Sequence, residues 1–376
     1  MQGSIQKRTG KRGTTWTVVV DLPRDPLTGK RRQKRVSAPT KRELEAQLAK
    51  TLHEVQSGSY VEPSRLTVAE FLDKWLAETA ATVRPSTLDR YRRIIRLHIL
   101  PTLGATPLPR LSALDVQALY RATLAAGAAP GTVRLHHAVL RKALDQAVRW
   151  RLLTVNPCGA VDPPRAGHTE RQTWDGAQAR AFLTVTDADE RHGAFFRLAL
   201  LTGMRRGELL ALRWADVDLD RGVLAVKRTV APDGAGGWTE NEPKSASGRR
   251  QIALPPSAVA ALRRHRARQV ERRLAIGPVW EDADRVFERG DGRAIHPNAV
   301  DPELRRLATT AQLPRIRVHD LRHTAATLML AQGVHPKIVA ERLGHSTIVM
   351  TLDRYSHVSL DMQRDAANGL DEALGA

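Results

Sequence analysis

The sequence predicts a multidomain protein, mainly α with small β-sheets, on three observations. Its 376 residues exceed what one ordinary domain needs. Its hydrophobic content of 42% includes only 4% aromatics, so the interior is built from Leu, Ala and Val, which suits packed helices. Most of its apolar residues recur at helical spacing, and β-branched runs are short. Composition and pattern divide the chain into residues 1–60, 61–165 and 166–376.

The first segment opens with a strand. Trp16 to Leu22 (WTVVVDL) is β-branched and aromatic, and the stretch from Arg31 to Val36 is placed to pair with it across the turn PLTG. Thr40 is the expected N-cap of a helix over KRELEAQLAKTLHEV. Through residue 42 there are twelve Lys and Arg against two Asp, a local charge of +10. Lys30, Arg31, Arg32, Lys34 and Arg35 are expected along one edge of this small sheet, a shape that suits a DNA groove better than a sheet edge merely kept soluble by charge.

The second segment reads as all-helical. Thr67 caps VAEFLDKWLAETA, where Phe71, Leu72, Trp75 and Leu76 form an apolar stripe. Pro85-Ser86-Thr87 starts a second helix that runs through Arg96. Leu114 to Leu124 is a third and Thr132 to Trp150 a fourth, with Val139, Leu140, Leu144 and Val148 on its inner face. Arg84, Arg90, Arg92, Arg93, Arg134 and Arg141 stud these helices; any one alone reads as a solvated face, but together they suggest a clamp on phosphates. NPCGAVDPPRAGH, with three prolines and two glycines, reads as an interdomain linker.

The third segment mixes helices with short strands. Helical patterns cover Ala177 to Val185 and Ala194 to Leu201. Thr202-Gly203 breaks the second of these, and Arg206 to Arg213 begins another. Strands are expected at Val223 to Lys227 and Arg249 to Leu254, separated by a Gly-rich stretch that ends in Lys244. Helices follow over Ala258 to Arg273 and around Pro302 to Ala311, with a strand fragment at Val286-Phe287 between them. His319, Arg322 and His323 open a further helix. Gly333 and Pro336 end it, and a short helical pattern then leads to Gly344 and His345. Tyr355 lies ten residues beyond. Ser359 to Leu374 suits a short tail helix.

Charge narrows the class of partner. Fifty-nine Lys and Arg against 40 acidic residues give a formal charge of +19, which implies a polyanion bound through counterion release. No apolar run reaches the length of a membrane-spanning helix, and the opening MQGSIQKRTGKRGTTW lacks the apolar core of a signal peptide, so a cytoplasmic, nucleoid-associated protein is expected. A single cysteine, Cys158, excludes an internal disulfide framework and a multi-cysteine zinc site. No G-x-S-x-G elbow, P-loop or G-x-G-x-x-G occurs, which leaves hydrolase, NTPase and dehydrogenase readings without support.

Three separated stretches carry groups suited to one reaction: Arg205 in TGMRRGE, Lys244 in PKSASGRR, and the block from His319 to Tyr355. Breaking a phosphodiester without metal requires cations on the non-bridging oxygens, a nucleophile, and a proton donor for the leaving oxygen. Arginine stays charged and bonds phosphate bidentately. Lysine can protonate an alkoxide. Tyrosine attacks once neighbouring cations stabilise its phenolate, and histidine can take the phenolic proton. His319 and His323 stand four apart, as zinc ligands can. The glutamate of HExxH is missing between them and Arg322 would repel the cation, so no metal is expected. A metal-dependent nuclease using His319, His323 and His345 is therefore disfavoured. A non-enzymatic DNA-binding regulator on the same scaffold stands as the other alternative.

LTGMRRGELLALRW, HDLRHTAATLML and ERLGHSTIVMTLDRYSHV resemble the boxes of the tyrosine recombinase family, the phage-integrase type. That family carries arginine, lysine, a His-x-x-Arg pair, a second histidine and a tyrosine in this chain order. The order is met here by Arg205, Lys244, His319, Arg322, His345 and Tyr355. The resemblance implies a three-stranded-sheet N-terminal domain for arm-type DNA sites, a helical, SAM-like core-binding domain, and a mixed α+β catalytic domain. It implies Tyr355 as the nucleophile that forms a 3′-phosphotyrosyl link, Arg205 and Arg322 on the phosphate, Lys244 as proton donor, His319 as proton acceptor and His345 as a phosphate ligand. Glu208 falls where the family keeps a supporting acidic residue. No cofactor is implied. The implied partners are double-stranded DNA, three further copies in a homotetramer, and an excisionase or DNA-bending host factor as candidate accessories.

Overall fold

The computed structural model describes residues 5–10, 13–22, 32–56, 65–165, 167, 172–234, 236–243 and 246–349, together with 368, 371 and 374. Two compact units divide the chain, Met1–His168 and Thr169–Ala376.

The first unit begins with an antiparallel sheet of β1 (Gln6–Gly10), β2 (Gly13–Leu22) and β3 (Arg32–Ala38), in the order β1-β2-β3. Val19 faces Arg35 and Val18 faces Val36 across the β2–β3 pair. The pleat sends Val18, Val20, Val36 and Ala38 to one side, where Leu44 and Leu48 of α1 (Lys41–Gln56) cover them. Thr40 starts α1 as expected, its Oγ1 accepting from the Glu43 N–H at 3.3 Å. Strand β1 was not legible as a strand; its QKRTG has no apolar alternation and it earns its place by pairing along β2.

A helical bundle with its own core follows. It comprises α2 (Val68–Thr79), α3 (Pro85–Ile94), α4 (Leu100–Leu103), α5 (Ala113–Ala125) and α6 (Pro130–Arg149). Thr67 and Glu70 form a capping box on α2: the Glu70 carboxylate accepts from the Thr67 N–H at 2.8 Å, and Thr67 Oγ1 accepts from the Glu70 N–H at 3.3 Å. The helix expected to end at Arg96 instead widens into a π-helical turn over Ile95–Ile99 and continues as α4. Pro101 accounts for the widening, because it has no N–H to donate back and its ring would strike the preceding turn. Phe71, Trp75, Ile95, Ile99, Leu140 and Leu144 fill the core, with the Trp75 and Tyr91 rings stacked 5.4 Å apart.

The linker expected at residues 156–168 is corrected in its first half. Pro157–Ala160 forms a single 3₁₀ turn, and Cys158 and Val161 are buried in the bundle core. Asn156 pins the turn by donating to Asp145 Oδ1 at 2.7 Å and accepting from the Cys158 N–H at 2.9 Å.

The second unit is organised around α8 (Gly193–Thr202), buried on nearly every side, with α7 (Gly176–Ala188), α10 (Pro256–Ile276) and α12 (Val318–Ala331) packed on it. A helix apolar all round belongs at the centre of its domain. Trp174, Phe182, Phe195, Phe196 and Phe287 make the aromatic part of this core. Between α8 and α10 come the short α9 (Arg206–Leu210), β4 (Val217–Asp218), β5 (Val223–Val226), β6 (Thr229–Pro232), β7 (Trp238–Asn241) and β8 (Arg250–Ala253). β4, β5 and β8 form one antiparallel sheet, and β6 and β7 a separate hairpin. The helix expected to reach Arg213 stops at Leu210, and the Gly-rich stretch expected between the two strands contains the β6–β7 hairpin. Val286-Phe287 is not a strand; it follows an isolated bridge between Arg213 and Arg285. α11 (Val300–Thr310) and α13 (Pro336–Leu343) complete the unit. Among the described residues, no helix is long and apolar enough to cross a membrane.

Candidate active site

The site grows from two left-handed turns. α8 ends at Gly203, φ +64°, and α13 ends at Gly344, φ +68°. Each glycine adopts a conformation that costs an L-residue with a side chain about 1–2 kcal/mol. Gly203 turns the chain so that Arg205 stands before α9, and Gly344 presents His345 directly after α13.

Arg205 joins the two turns. Its Nη2 donates to the Gly344 carbonyl oxygen at 3.0 Å, and its Nη1 meets Glu208 Oε1 at 2.7 Å. Glu208 also accepts the Arg205 backbone N–H at 2.9 Å, so one carboxylate caps α9 and orients the guanidinium preceding it. The Arg205 side chain keeps 39% of its surface exposed, whereas Glu208 keeps 3%. Arg322, on the first turns of α12, is buried and donates through Nη1 to the Gly203 carbonyl oxygen at 2.9 Å. Hydrogen bonds thereby tie the expected Arg205, Glu208 and Arg322 to the Gly203 and Gly344 turns, and His345 follows Gly344 in the chain.

His319 lies on the exposed side of the α12 N-terminus. Together with Arg205, Arg206, Trp238 and Arg317 it lines a cavity of about 630 Å³. His323, one turn on, is buried, and its ring meets that of His319 edge to face at 4.9 Å, consistent with a packed helix residue. Arg206 pairs with Asp301, Nη1 to Oδ2 2.7 Å, with its guanidinium over the Trp238 ring. Lys244, Tyr355 and His357 lie outside the described residues, as does the tail helix expected at 359–374 apart from residues 368, 371 and 374.

Arg250 belongs to this framework and was missed in the sequence. Within GRR it looks like half of a surface basic pair, and its neighbour Arg249 is one, with its side chain 59% exposed against Glu242. Arg250 itself is 7% exposed. It donates to Glu208 Oε2 at 2.8 Å, to the Arg342 carbonyl at 2.6 Å and to the Gly248 carbonyl at 3.2 Å. The alternation of β8 holds the signal: Arg250 shares a face with the buried Ile252. Burial pushes the Glu208 carboxyl upward, but hydrogen bonds and charge from Arg250, then the charge of Arg205, outweigh it. The group lies below the usual carboxylate range and stays ionised. Arg342 ties α13 to its surroundings through the carbonyls of Ala253 and Leu201, at 3.0 and 3.1 Å.

The expected DNA-facing residues divide by location. Lys30 and Arg31 lie outside the described residues, and of Arg32 only the strand backbone is described. β3 is an edge strand, as expected. Its pleat separates the cations, however: Arg35 projects on the open face, whereas Lys34 is half-buried on the face shared with Val36 and Ala38. In the bundle, Arg84, Arg90 and Arg134 are exposed, as are Arg92, Arg93 and Arg141. Among the described residues, no group of three His, Cys, Asp or Glu side chains is arranged to hold a metal ion.

This framework can bind an oxyanion. Two arginines approach from different elements, His319 shares a cavity with Arg205, and the buried Glu208 carboxylate is matched by Arg250 as well as by Arg205. Similarity to known proteins agrees. The phage integrase family matches residues 173–361, and the N-terminal SAM-like domain of phage integrases matches residues 67–124. A tyrosine recombinase XerC-like protein of Caldanaerobacter subterraneus is 28% identical, with 95% of this chain and 96% of that protein covered. A phiRv2 prophage integrase of Mycobacterium tuberculosis is 32% identical over 79% of this chain and 76% of its own. Among solved structures, the Tn1549 transposon integrase in complex with circular intermediate DNA shares the fold at a TM-score of 0.69, with 24% identity over 81% of this chain and 100% of that one. A lambda integrase tetramer bound to a Holliday junction matches at 0.59, with 18% identity over 93% and 94%. The chain belongs to the phage integrase family, and it is accordingly a site-specific tyrosine recombinase, an enzyme that breaks and rejoins DNA strands.

Proposed function

We propose that the chain integrates, and excises, a mobile genetic element through a covalent link to Tyr355. The Tyr355 phenolic oxygen bonds to the scissile phosphorus as the bond from phosphorus to the 5′ oxygen breaks. His319 takes the phenolic proton, and Lys244 gives one to the departing 5′ oxygen. Arg205 and Arg322 hold the non-bridging oxygens, and His345 bonds one of them. The energy of the broken bond is kept in the 3′-phosphotyrosyl link, so a 5′-hydroxyl of another strand can reverse the step without ATP. The observation that carries this reading is the hydrogen-bonded framework from Arg322 through Gly203 to Arg205 and Gly344, with His319 and Arg205 lining one cavity.

Three segments divide the work. Residues 1–60 contact arm-type sites through the basic sheet, residues 61–165 grip the core site through exposed arginines such as Arg84, Arg90 and Arg134, and residues 166–376 perform the chemistry. Four copies act together on DNA, as the lambda integrase tetramer does on its Holliday junction. An excisionase or DNA-bending host factor sets the direction, and the reaction takes place in the bacterial cytoplasm.

The test is recombination between two duplex fragments taken from either side of the protein's own gene, with EDTA present and no nucleotide added. Joined products and a four-copy complex on DNA are expected. Products that form only after a divalent metal is restored contradict the proposed chemistry.

A further inference from the structure

We propose that Arg250 is a positioning residue that neutralises Glu208 and so leaves the charge of Arg205 available to the scissile phosphate. This inference rests on the reading of Arg205 as a phosphate ligand. Glu208 is nearly solvent-free and touches two guanidiniums, Arg205 at 2.7 Å and Arg250 at 2.8 Å. A carboxylate paired with Arg205 alone would cancel the charge the phosphate needs, and because Glu208 itself is buried that cancellation is stronger than between two groups in water. Arg250 supplies the second positive charge, so the trio carries a net charge of +1.

The same guanidinium fixes geometry. Through the Gly248 carbonyl it holds the turn that leads into β8, and through the Arg342 carbonyl it holds the end of α13, two residues before the Gly344 that Arg205 itself bonds. A β-carbon on Gly344 would stand 2.9 Å from Arg250 Nη1, so the turn and the guanidinium are in direct contact. Arg250 is therefore placed to keep Arg205 and the His345 turn in register. The charged groups facing Glu208 are Arg205 from its own helix and Arg250 from β8, and Arg342 of α13 packs against Arg250 in turn.

The test uses the full chain in excess over labelled fragments flanking its gene, with EDTA present, and reads the rate of covalent adduct formation from about pH 5 to about pH 8, which spans the carboxylate-to-neutral range. Arg250→Gln is expected to slow adduct formation at the upper end by on the order of tenfold to a hundredfold, the effect of losing one electrostatic contact to the reacting phosphate. The deficit relative to wild type should shrink as the pH falls, because without Arg250 burial dominates, Glu208 takes up a proton, and Arg205 is released. In a Glu208→Gln background the change at position 250 should cost far less and lose its pH trend. Arg250→Lys, which keeps the charge but not the fork, should react at an intermediate rate with little pH trend, and it carries the test if Arg250→Gln does not fold. A deficit equal at every pH, or independent losses in the double variant, overturns the proposal. Arg205→Ala separates the two readings: an adduct that survives it refutes Arg205 as phosphate ligand, whereas its loss beside a wild-type-like Arg250→Gln refutes only the role of Arg250.

Discussion

Arg322 donates through Nη1 to the carbonyl oxygen of Gly203, 2.9 Å away, so the second arginine of the site holds the turn that presents the first. The two side chains come from stretches more than a hundred residues apart, yet a displacement of one is felt by the other. Lysine cannot reproduce this arrangement, because its point charge lacks the planar fork. Arg322→Lys should lower the rate of covalent adduct formation on the order of a hundredfold, the loss expected when one preorganised donor to the reacting phosphate is removed. It should also lower stability by about 1.5–3 kcal/mol, the cost of a lost hydrogen bond to a charged group. Single-turnover cleavage and urea unfolding check the two. A variant that keeps the wild-type cleavage rate contradicts the role given to Arg322.

Gly344→Ala should damage the site without touching a reacting group. The residue has φ +68°, and a β-carbon would stand 2.8 Å from the Ser247 carbonyl oxygen. The backbone alone costs about 1–2 kcal/mol, and the contact forces either the α13 end or the segment before β8 to move. Reduced stability in urea, with cleavage falling further than the folded fraction does, is the expected pair of results.

Arg35 and Lys34 are neighbours in sequence on opposite faces of β3. Arg35→Ala should reduce the slope of log affinity for DNA against log salt by about one, as when a single phosphate contact is lost. Lys34→Ala should change that slope less. Titration of a flanking duplex at several salt concentrations distinguishes them, and equal effects would contradict the face assignment.

Trp174 links the start of the second unit to α12 and to the loop before it. Its ring packs on Phe182 at 4.7 Å, its backbone N–H donates to Thr324 Oγ1 at 3.2 Å, and its Nε1 donates to the Pro314 carbonyl at 3.0 Å. Trp174→Ala should cost about 3–5 kcal/mol, as for other buried aromatic truncations, measured by urea unfolding.

What could be read from the sequence follows from what local pattern encodes. Helices such as α2 and α6 have an apolar face repeating every third or fourth residue, and caps such as Thr67 announce their starts, so their spans were legible within a few residues. Arg205, Arg322 and His345 were singled out by their order in the box patterns, although nothing local says that Arg322 holds Gly203 and Arg205 holds Gly344. The β6–β7 hairpin escaped because each strand has four residues, one ends in proline, and neither alternates strongly. Arg250 escaped because burial of a charge depends on the partner that satisfies it, and Glu208 lies 42 residues away. The burial of Cys158 and Val161 escaped for a related reason: proline and glycine around them signal a loop, and only the tertiary core shows that the loop is packed.

In the proposed reaction Tyr355 becomes covalently joined to DNA. Wild-type protein and Tyr355→Phe should each be incubated with labelled fragments from beside the gene, with EDTA present, then denatured in SDS and digested for peptide mass analysis. The account predicts an SDS-resistant adduct from wild type alone, a 3′-phosphate on the peptide containing Tyr355, and a free 5′-hydroxyl on the other DNA end. An adduct that persists in Tyr355→Phe, or DNA binding by wild type with no adduct on any fragment, would contradict it.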